Sequence, residues 1–342
     1  MHEKILVTGG AGFIGSHTCV ELIDAGYTPV IVDDLRNSHR RVIEGIARIT
    51  GRELVPHLID CSDEAALERV FDQEGPIIGA IHFAAYKSVG ESVAEPLKYY
   101  SNNIGSLIAL MKVARRRDTR HIVFSSSCTV YGQADVLPVT EDAPSDKASS
   151  PYGYTKVVCE RLLQDLKRSA PDTNIVILRY FNPIGAHPSG HIGELPVGVP
   201  NNLVPYVVQT AAGHRKVLTI YGDDYDTPDG TCLRDYIHVV DLAQAHVKAM
   251  DLLQQRPLTG CEVINLGTGR PVSVKQVVDS FVQETGVPVP FIIGPRRPGD
   301  VASIHADVTK SAHMLGWHAR YSMAEALRHA WGWQHTLDND RR

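Results

Sequence analysis

Tyr152 and Lys156, four residues apart, are the side chains of this sequence best placed by type and spacing to do chemistry together. On a helix, an i, i+4 pair lies on one face. Free tyrosine, with a pKa near 10, is a poor base at neutral pH, but an adjacent ammonium favours the phenolate. Lowering that pKa by about three units takes roughly 4 kcal/mol, which two nearby positive charges in a dry site can supply. Three serines, Ser125 to Ser127, offer hydroxyls that could hold a reacting alcohol and relay its proton. Ser127 is assigned that role, while Ser125 and Ser126 serve equally well as strand-end caps. A Tyr-x-x-x-Lys pair also arises by chance in many helices, so its weight depends on its surroundings.

Near the start, Lys4–Thr8 runs into Gly9-Gly10-Ala11-Gly12-Phe13-Ile14-Gly15, with Gly9, Gly12 and Gly15 spaced three apart. So tight a turn needs positive φ, and side chains there would keep the backbone away from a pyrophosphate. The N–H groups and dipole of the following helix then favour phosphate charge. Its place after the first strand and at a helix start marks this as a dinucleotide fingerprint. Asp33 and Asp34 follow about 20 residues on, where a carboxylate binds the adenosine ribose diol and repels a 2′-phosphate. Asp33 thus argues for NAD over NADP; Asp34 would serve equally as a helix cap. Asp60, after the apolar stretch Leu54–Ile59, is expected at the next strand end beside the adenine, or as a turn residue. The cationic nicotinamide would be the second charge acting on Tyr152.

These residues need a scaffold. Ile5-Leu6-Val7, Pro29–Val32, Ala80–Phe83 and His121–Phe124 are near-continuous apolar runs, the pattern of strands buried on both faces of a parallel sheet. Helices are predicted over Ile14–Ala25, over Ala65–Asp72 and from near Pro151, with a strand over Asn174–Tyr180. The alternation predicts a doubly wound α/β fold on a parallel Rossmann sheet. The three serines would then end its fourth strand, at the carboxyl edge where such sheets bind ligands. After Asn182 the texture changes, and residues 183–205 and 222–232 are rich in Gly, Pro, Asn and Asp. Long irregular segments of this kind usually carry binding function. The expected division is 1–182 as an NAD-binding domain and 183–342 as mainly a smaller, irregular α/β substrate domain, with some segments returning to the first.

The bulk numbers exclude several classes. With 342 residues, 43 % hydrophobic, 21 % charged and a net charge of −5, the chain shows no basic stripe that would suit nucleic acid. Arg115-Arg116-Arg117 reads as a solvated helix end. No run approaches the roughly 20 apolar residues of a membrane span, and the glycines begin too early for a signal peptide. A cytoplasmic protein is expected. The six cysteines are scattered without a Cys-x-x-Cys pair, as reduced thiols would be. His187 and His191 have ligand spacing but flank Pro188-Ser189-Gly190, a loop, so no metal site is expected.

Longer strings narrow the class. Tyr180 to Gly190 and Gly230 to Val239, with Gly9–Gly15, His82–Lys87, Ser125–Gly132, Tyr152–Lys156 and Asn201-Asn202-Leu203, together resemble the extended short-chain dehydrogenase/reductase family. Within it, the chain is similar to the enzymes that epimerise UDP-hexoses, from the first strand to about residue 335. The resemblance implies reversible epimerisation at carbon 4 of UDP-glucose and UDP-galactose: tightly bound NAD transiently oxidises the carbon, and hydride returns to the opposite face of a 4-keto intermediate. Tyr152 would be the acid/base, Lys156 would bond the nicotinamide ribose, and Ser127 would hold the 4-hydroxyl. The cofactor would be held by Gly9, Gly12, Phe13, Ile14 and Gly15; by Asp33, Asp34, Asn37, Ser38, Asp60 and Cys61; and by Phe83, Ala84, Ala85, Lys87, Asn102, Ser125 and Tyr180. The substrate would meet Lys87, Thr129, Asn182, Asn202 and Leu203, with Tyr221 beside the uracil, Arg234 and Arg297 on the diphosphate and Asp300 on the uridine ribose. Guanidinium forks suit a diphosphate. The ketone must turn over within the site, so binding energy has to come from UDP. NAD is regenerated each cycle and should stay bound. A homodimer through a helix pair of the sheet domain is also implied.

The same resemblance implies that Ile304 falls at the edge of the hexose pocket, where large residues go with excluding N-acetylated sugars and small ones with admitting them. UDP-N-acetylglucosamine or another UDP-sugar is therefore the alternative substrate. A 4,6-dehydratase would need an acidic pair beside the reactive serine, where this chain has Ser127-Cys128-Thr129. A non-catalytic NAD-binding regulator would need no Tyr152, Lys156 and Ser127 constellation.

Overall fold

The structure, a computed structural model, describes residues 2–297 and 299–340. Its strands are β1 (Lys4–Thr8), β2 (Thr28–Val32), β3 (Gly79–His82), β4 (His121–Ser127), β5 (Asn174–Tyr180), β6 (Asn182–Ile184), β7 (Leu218–Tyr221), β8 (Leu233–His238), β9 (Cys261–Leu266), β10 (Pro271–Ser273), β11 (Phe291–Gly294) and β12 (Ser303–Ile304). Its helices are α1 (Phe13–Asp24), α2 (Arg40–Thr50), α3 (Glu64–Glu74), α4 (Val89–Ala94), α5 (Pro96–Arg116), α6 (Pro151–Ser169), α7 (Leu203–Ala211), α8 (Val239–Gln255), α9 (Val274–Thr285), α10 (Thr309–Leu315) and α11 (Met323–Asn339).

Six strands form one parallel sheet in the order β2-β1-β3-β4-β5-β9. Successive strand residues point to opposite faces, and both faces are covered. Ile5, Val7, Ile31, Ile81 and Val123 join the layer built with α1, α2 and α8. Leu6, Val30, Ala80, Ile122 and Phe124 pack the other side against α3, α5 and α6. That is why the runs read as unbroken apolar strings. Each fully buried side chain of this kind contributes about 1.5–3 kcal/mol relative to exposure. From β1 the sheet grows to one side through β2 and to the other through β3, which opens the crevice at their carboxyl ends.

Leu54–Ile59 does not form the expected strand; a single bridge joins His57 to Val32. Pro56 has no donor for a ladder, and Val55, 87 % exposed, has no layer to cover it. In contrast, β4 continues past its apolar residues to Ser127, because Ser125, Ser126 and Ser127 pair in register with Leu178, Arg179 and Tyr180 of β5.

Beyond Asn182, β8 is flanked by β6 and β12 in parallel and β10 antiparallel, while β7 and β11 make a separate parallel pair. This part has its own core, including Val204, Val207, Ile220, Phe281 and Leu327. The chain returns twice to the first sheet: α8 packs on α1, and β9 lies beside β5. Among the described residues no helix is long and apolar enough to cross a membrane.

Candidate active site

The glycine turn is closed by an N–H of Gly12 donating to the Gly9 carbonyl at 3.0 Å. Gly9 has φ +70°, and a Cβ on it would sit 2.8 Å from the Ala84 nitrogen. A Cβ on Gly15 would fall 2.2 Å from the Gly9 carbonyl oxygen. Gly12 caps α1 with no side-chain bond among the described residues, and the first turn holds no acid. The leading N–H groups of Phe13 and Ile14 thus face outward without a carboxylate, a helix end that fits a pyrophosphate. Asp33, almost fully buried, turns Oδ2 to the Ala11 N–H at 3.0 Å and Oδ1 to the Leu35 N–H and the Ser38 hydroxyl. Oδ1 is filled by these donors, so Oδ2 is the oxygen left to accept from a ribose diol. The donor set therefore fits NAD.

The chemical residues meet at the carboxyl edge of β4. Ser150 accepts from the Gly153 N–H at 3.2 Å and Pro151 takes the first helical position, so α6 begins where Tyr152 lies in its first turn. Gly153 lets that turn approach the strand end: a Cβ there would stand 3.3 Å from the Thr129 carbonyl. One turn further, Lys156 is buried and donates to the Ser125 carbonyl at 2.8 Å, with its ammonium 5.0 Å from the Phe124 ring.

Burial pushes the Tyr152 phenol up to about 12; the Ser127 hydroxyl acts against the rise and the neighbouring Cys128 adds to it. Burial lowers Lys156 to about 8, opposed by Cys159 and Glu160. The sequence assigns Lys156 the work of lowering the tyrosine pKa, but among protein groups desolvation wins and the phenol sits high. Of the other serines, Ser125 shares a hydrogen bond with the Tyr180 hydroxyl and Ser126 donates to Glu160, so Ser126 is turned away from the edge as a structural group.

Asn182 Oδ1 and Thr129 Oγ1 are buried without a partner among the described residues. Such acceptors are costly unless something binds them. Arg234 holds the Leu233 and Val301 carbonyls at 2.9 and 2.8 Å and pairs with Asp300 at 3.4 Å. Arg297 lies over the exposed Tyr221 ring, 4.7 Å from its centre. Ile304 pairs in register with Arg234 and is buried beside Cys128, Phe181 and Ala306. Cys61 is buried in the turn before α3, Ala85 is half-buried in the loop after β3 and Asn102 is half-buried on α5. Asn37 is exposed in the loop after β2. Among the described residues, no three His, Cys, Asp or Glu are arranged to hold a metal ion.

Three residues escaped sequence reasoning. Glu194 accepts from Lys87 at 2.9 Å and from Asn202 at 2.6 Å, tying the loop after β3 to the start of α7. His246, kept neutral by burial with a pKa near 4, packs against Phe83 and Tyr180. Arg36 bridges Asp34 and Asp60. An acid inside Gly193-Glu194-Leu195-Pro196 and an arginine between Asp34 and Asn37 were the available signals.

A dinucleotide turn, a Tyr/Lys pair and a serine at one sheet edge define an NAD-linked enzyme of the short-chain dehydrogenase/reductase type. The chain belongs to the NAD dependent epimerase/dehydratase family, whose pattern it matches over residues 5–267. It is similar to the UDP-glucose 4-epimerase of Dictyostelium discoideum, 51 % identical across 97 % of this chain and 96 % of that one. It also resembles the crystal structure of the UDP-glucose-4-epimerase from Stenotrophomonas maltophila with bound NAD and formylated UDP-arabinopyranose (47 % identity, TM-score 0.95, 99 % of this chain and 100 % of that one). The Bifidobacterium longum UDP-glucose 4-epimerase in complex with NAD+ and UDP gives 46 % identity and a TM-score of 0.94, over 98 % of this chain and 99 % of that one.

Proposed function

We propose that this enzyme interconverts the carbon-4 epimers of UDP-glucose and UDP-galactose, with NAD resident and Tyr152, Lys156 and Ser127 carrying the chemistry. The observation that carries the assignment of residues is their meeting at one edge, where Lys156 bonds the Ser125 carbonyl and the Tyr152 phenol meets the Ser127 hydroxyl. When bound, NAD supplies a reversible hydride acceptor and a cationic ring.

Tyr152, with its phenol near 12, is a poor base at neutral pH until more positive charge reaches it. Bringing it to 7 takes about 7 kcal/mol, more than a free tyrosine would need. Ser127 orients the sugar hydroxyl and passes its proton to Tyr152, which later returns it. Lys156, anchored on the Ser125 carbonyl, holds its ammonium beneath. Arg234 and Arg297 grip the diphosphate, and Asp300, Asn202, Leu203 and Tyr221 the uridine. Residues 1–182 hold the cofactor and 183–342 mainly the UDP-sugar, with α8 and β9 as the returning segments.

An exposed groove of about 590 Å³ between α5 and α6, lined by Ile108, Met111, Leu162 and Leu166 together with Lys112, Arg115 and Arg116, supports a homodimer through these helices. Cysteines that are unpaired among the described residues support a cytoplasmic location. Purified protein given UDP-galactose and no added NAD should form UDP-glucose in a coupled assay, and Tyr152→Phe should lose a factor of 10² to 10⁴. No turnover even with NAD supplied would overturn the assignment. Turnover of UDP-N-acetylglucosamine would show that Ile304 leaves the hexose pocket open.

A further inference from the structure

We infer that Arg36 is a strap across the adenosine half of the cofactor site, a positioning residue that sets how long NAD stays bound. The inference rests on NAD being the resident cofactor. Arg36 sits in the loop after β2, and the residue before it, Leu35, has φ +60°. A branched side chain rarely adopts that left-handed conformation, and it persists only where the surroundings enforce it. Two carboxylates enforce it here: Asp33 accepts from the Leu35 N–H and Asp34 from the Arg36 N–H, both at 2.9 Å. The bend returns the Arg36 side chain across the carboxyl edge of the sheet.

Its guanidinium meets its own loop and three other segments. Nε pairs with Asp34 at 2.6 Å and Nη2 with Asp60 at 2.5 Å. Nη1 donates to the Tyr86 hydroxyl at 3.0 Å and to Asn102 Oδ1 at 3.4 Å. Asp34, Asp60 and Asn102 are among the residues assigned to the cofactor, from the loop after β2, the turn before α3 and helix α5. A single planar group thus spans the mouth of that half-site.

Guanidinium planes stack on flat aromatic systems, of which adenine is one. Two carboxylates already more than balance the single charge of Arg36, so it is not free to recruit a 2′-phosphate. With its side chain 40 % exposed, its individual pairs are weak and open readily. A strap of this kind acts on the rate of cofactor release more than on folding.

The test follows release from NAD-loaded protein into buffer containing an NAD-consuming enzyme, with nucleotide retained on the protein measured by chromatography. Arg36→Ala should release NAD at least ten-fold faster than the wild type. Arg36→Lys, which keeps the charge and loses the fork, should fall between them. Release within two-fold of wild type in both variants overturns the strap, as does a change confined to denaturation of the nucleotide-free protein. Wild-type protein that carries no NAD and takes none up would overturn the resident-cofactor reading itself, and the strap with it.

Discussion

Replacing Glu160 with Gln should weaken the fold and the chemistry together. Glu160 and Arg179, each 3 % exposed, form a two-pronged pair at 2.9 and 2.6 Å. Arg179 also donates to the Tyr131 hydroxyl, Tyr131 to Asn265, and Asn265 to the Val139 carbonyl. The network thereby joins α6, β5, β9 and the loop before α6. At about 4 Å and an effective dielectric near 20, the lost attraction is roughly 4 kcal/mol. That agrees with the 3–5 kcal/mol typical of removing one partner from a buried pair. With a urea slope of about 4 kcal/mol per molar for a chain this size, the midpoint should fall by about 1 M. Glu160 also raises the Lys156 pKa against burial, so its loss should lower that pKa further and move the alkaline limb of the pH–rate profile down. Circular dichroism in urea reads the first effect and epimerisation rates across pH the second. A midpoint within 0.2 M (about one-fifth of the shift expected from the principle above) together with an unmoved limb would refute the reasoning. Making both partners apolar, Glu160→Met with Arg179→Met, should recover most of the stability, because no buried charge is then left unpaired.

Lys156→Met should be inactive and yet more stable than wild type at pH 7 in the NAD-free protein. The folded pKa of about 8 lies below the ordinary 10.5, so between those values the unfolded chain binds more protons and wild-type stability rises with pH. The penalty is complete below pH 8, at roughly 3 kcal/mol at most, offset in part by the bond to Ser125. Urea midpoints at pH 7.5 and 9.5 check it, and a wild type that loses stability between them counts against it. Gly15→Ala should purify without NAD, because its Cβ would meet the Gly9 carbonyl oxygen at 2.2 Å and force the turn open. Nucleotide absorbance of the purified protein reads this directly.

The parallel sheet was legible because both of its faces are apolar, which makes β1 to β5 stand out as unbroken strings. Segment 54–59 misled because Leu54, Val55 and Ile59 look like a strand, whereas Pro56 and an uncovered sheet edge prevent one. The turn at Gly9–Gly15 and the helix start at Ser150-Pro151 follow from local rules. Glu194, His246 and Arg36 were hidden because each acts through partners far along the chain, such as Arg36 on Asn102. The high phenol of Tyr152 was hidden too, since desolvation depends on packing that spacing does not reveal.

The position of β9 beside β5 bears on how the chain is born. All seven residues of β5 are buried, and the strand that covers its open edge begins only at Cys261. At roughly 5–20 residues per second, β5 waits on the order of 4–16 s for that partner during synthesis. Through this interval an apolar edge stands ready to pair with any passing strand. The β6–β8 region must meanwhile collapse as an insertion between two neighbouring strands. A ribosome stalled before Cys261 would thus release a sticky half-sheet, and chaperone demand should peak over this stretch of translation.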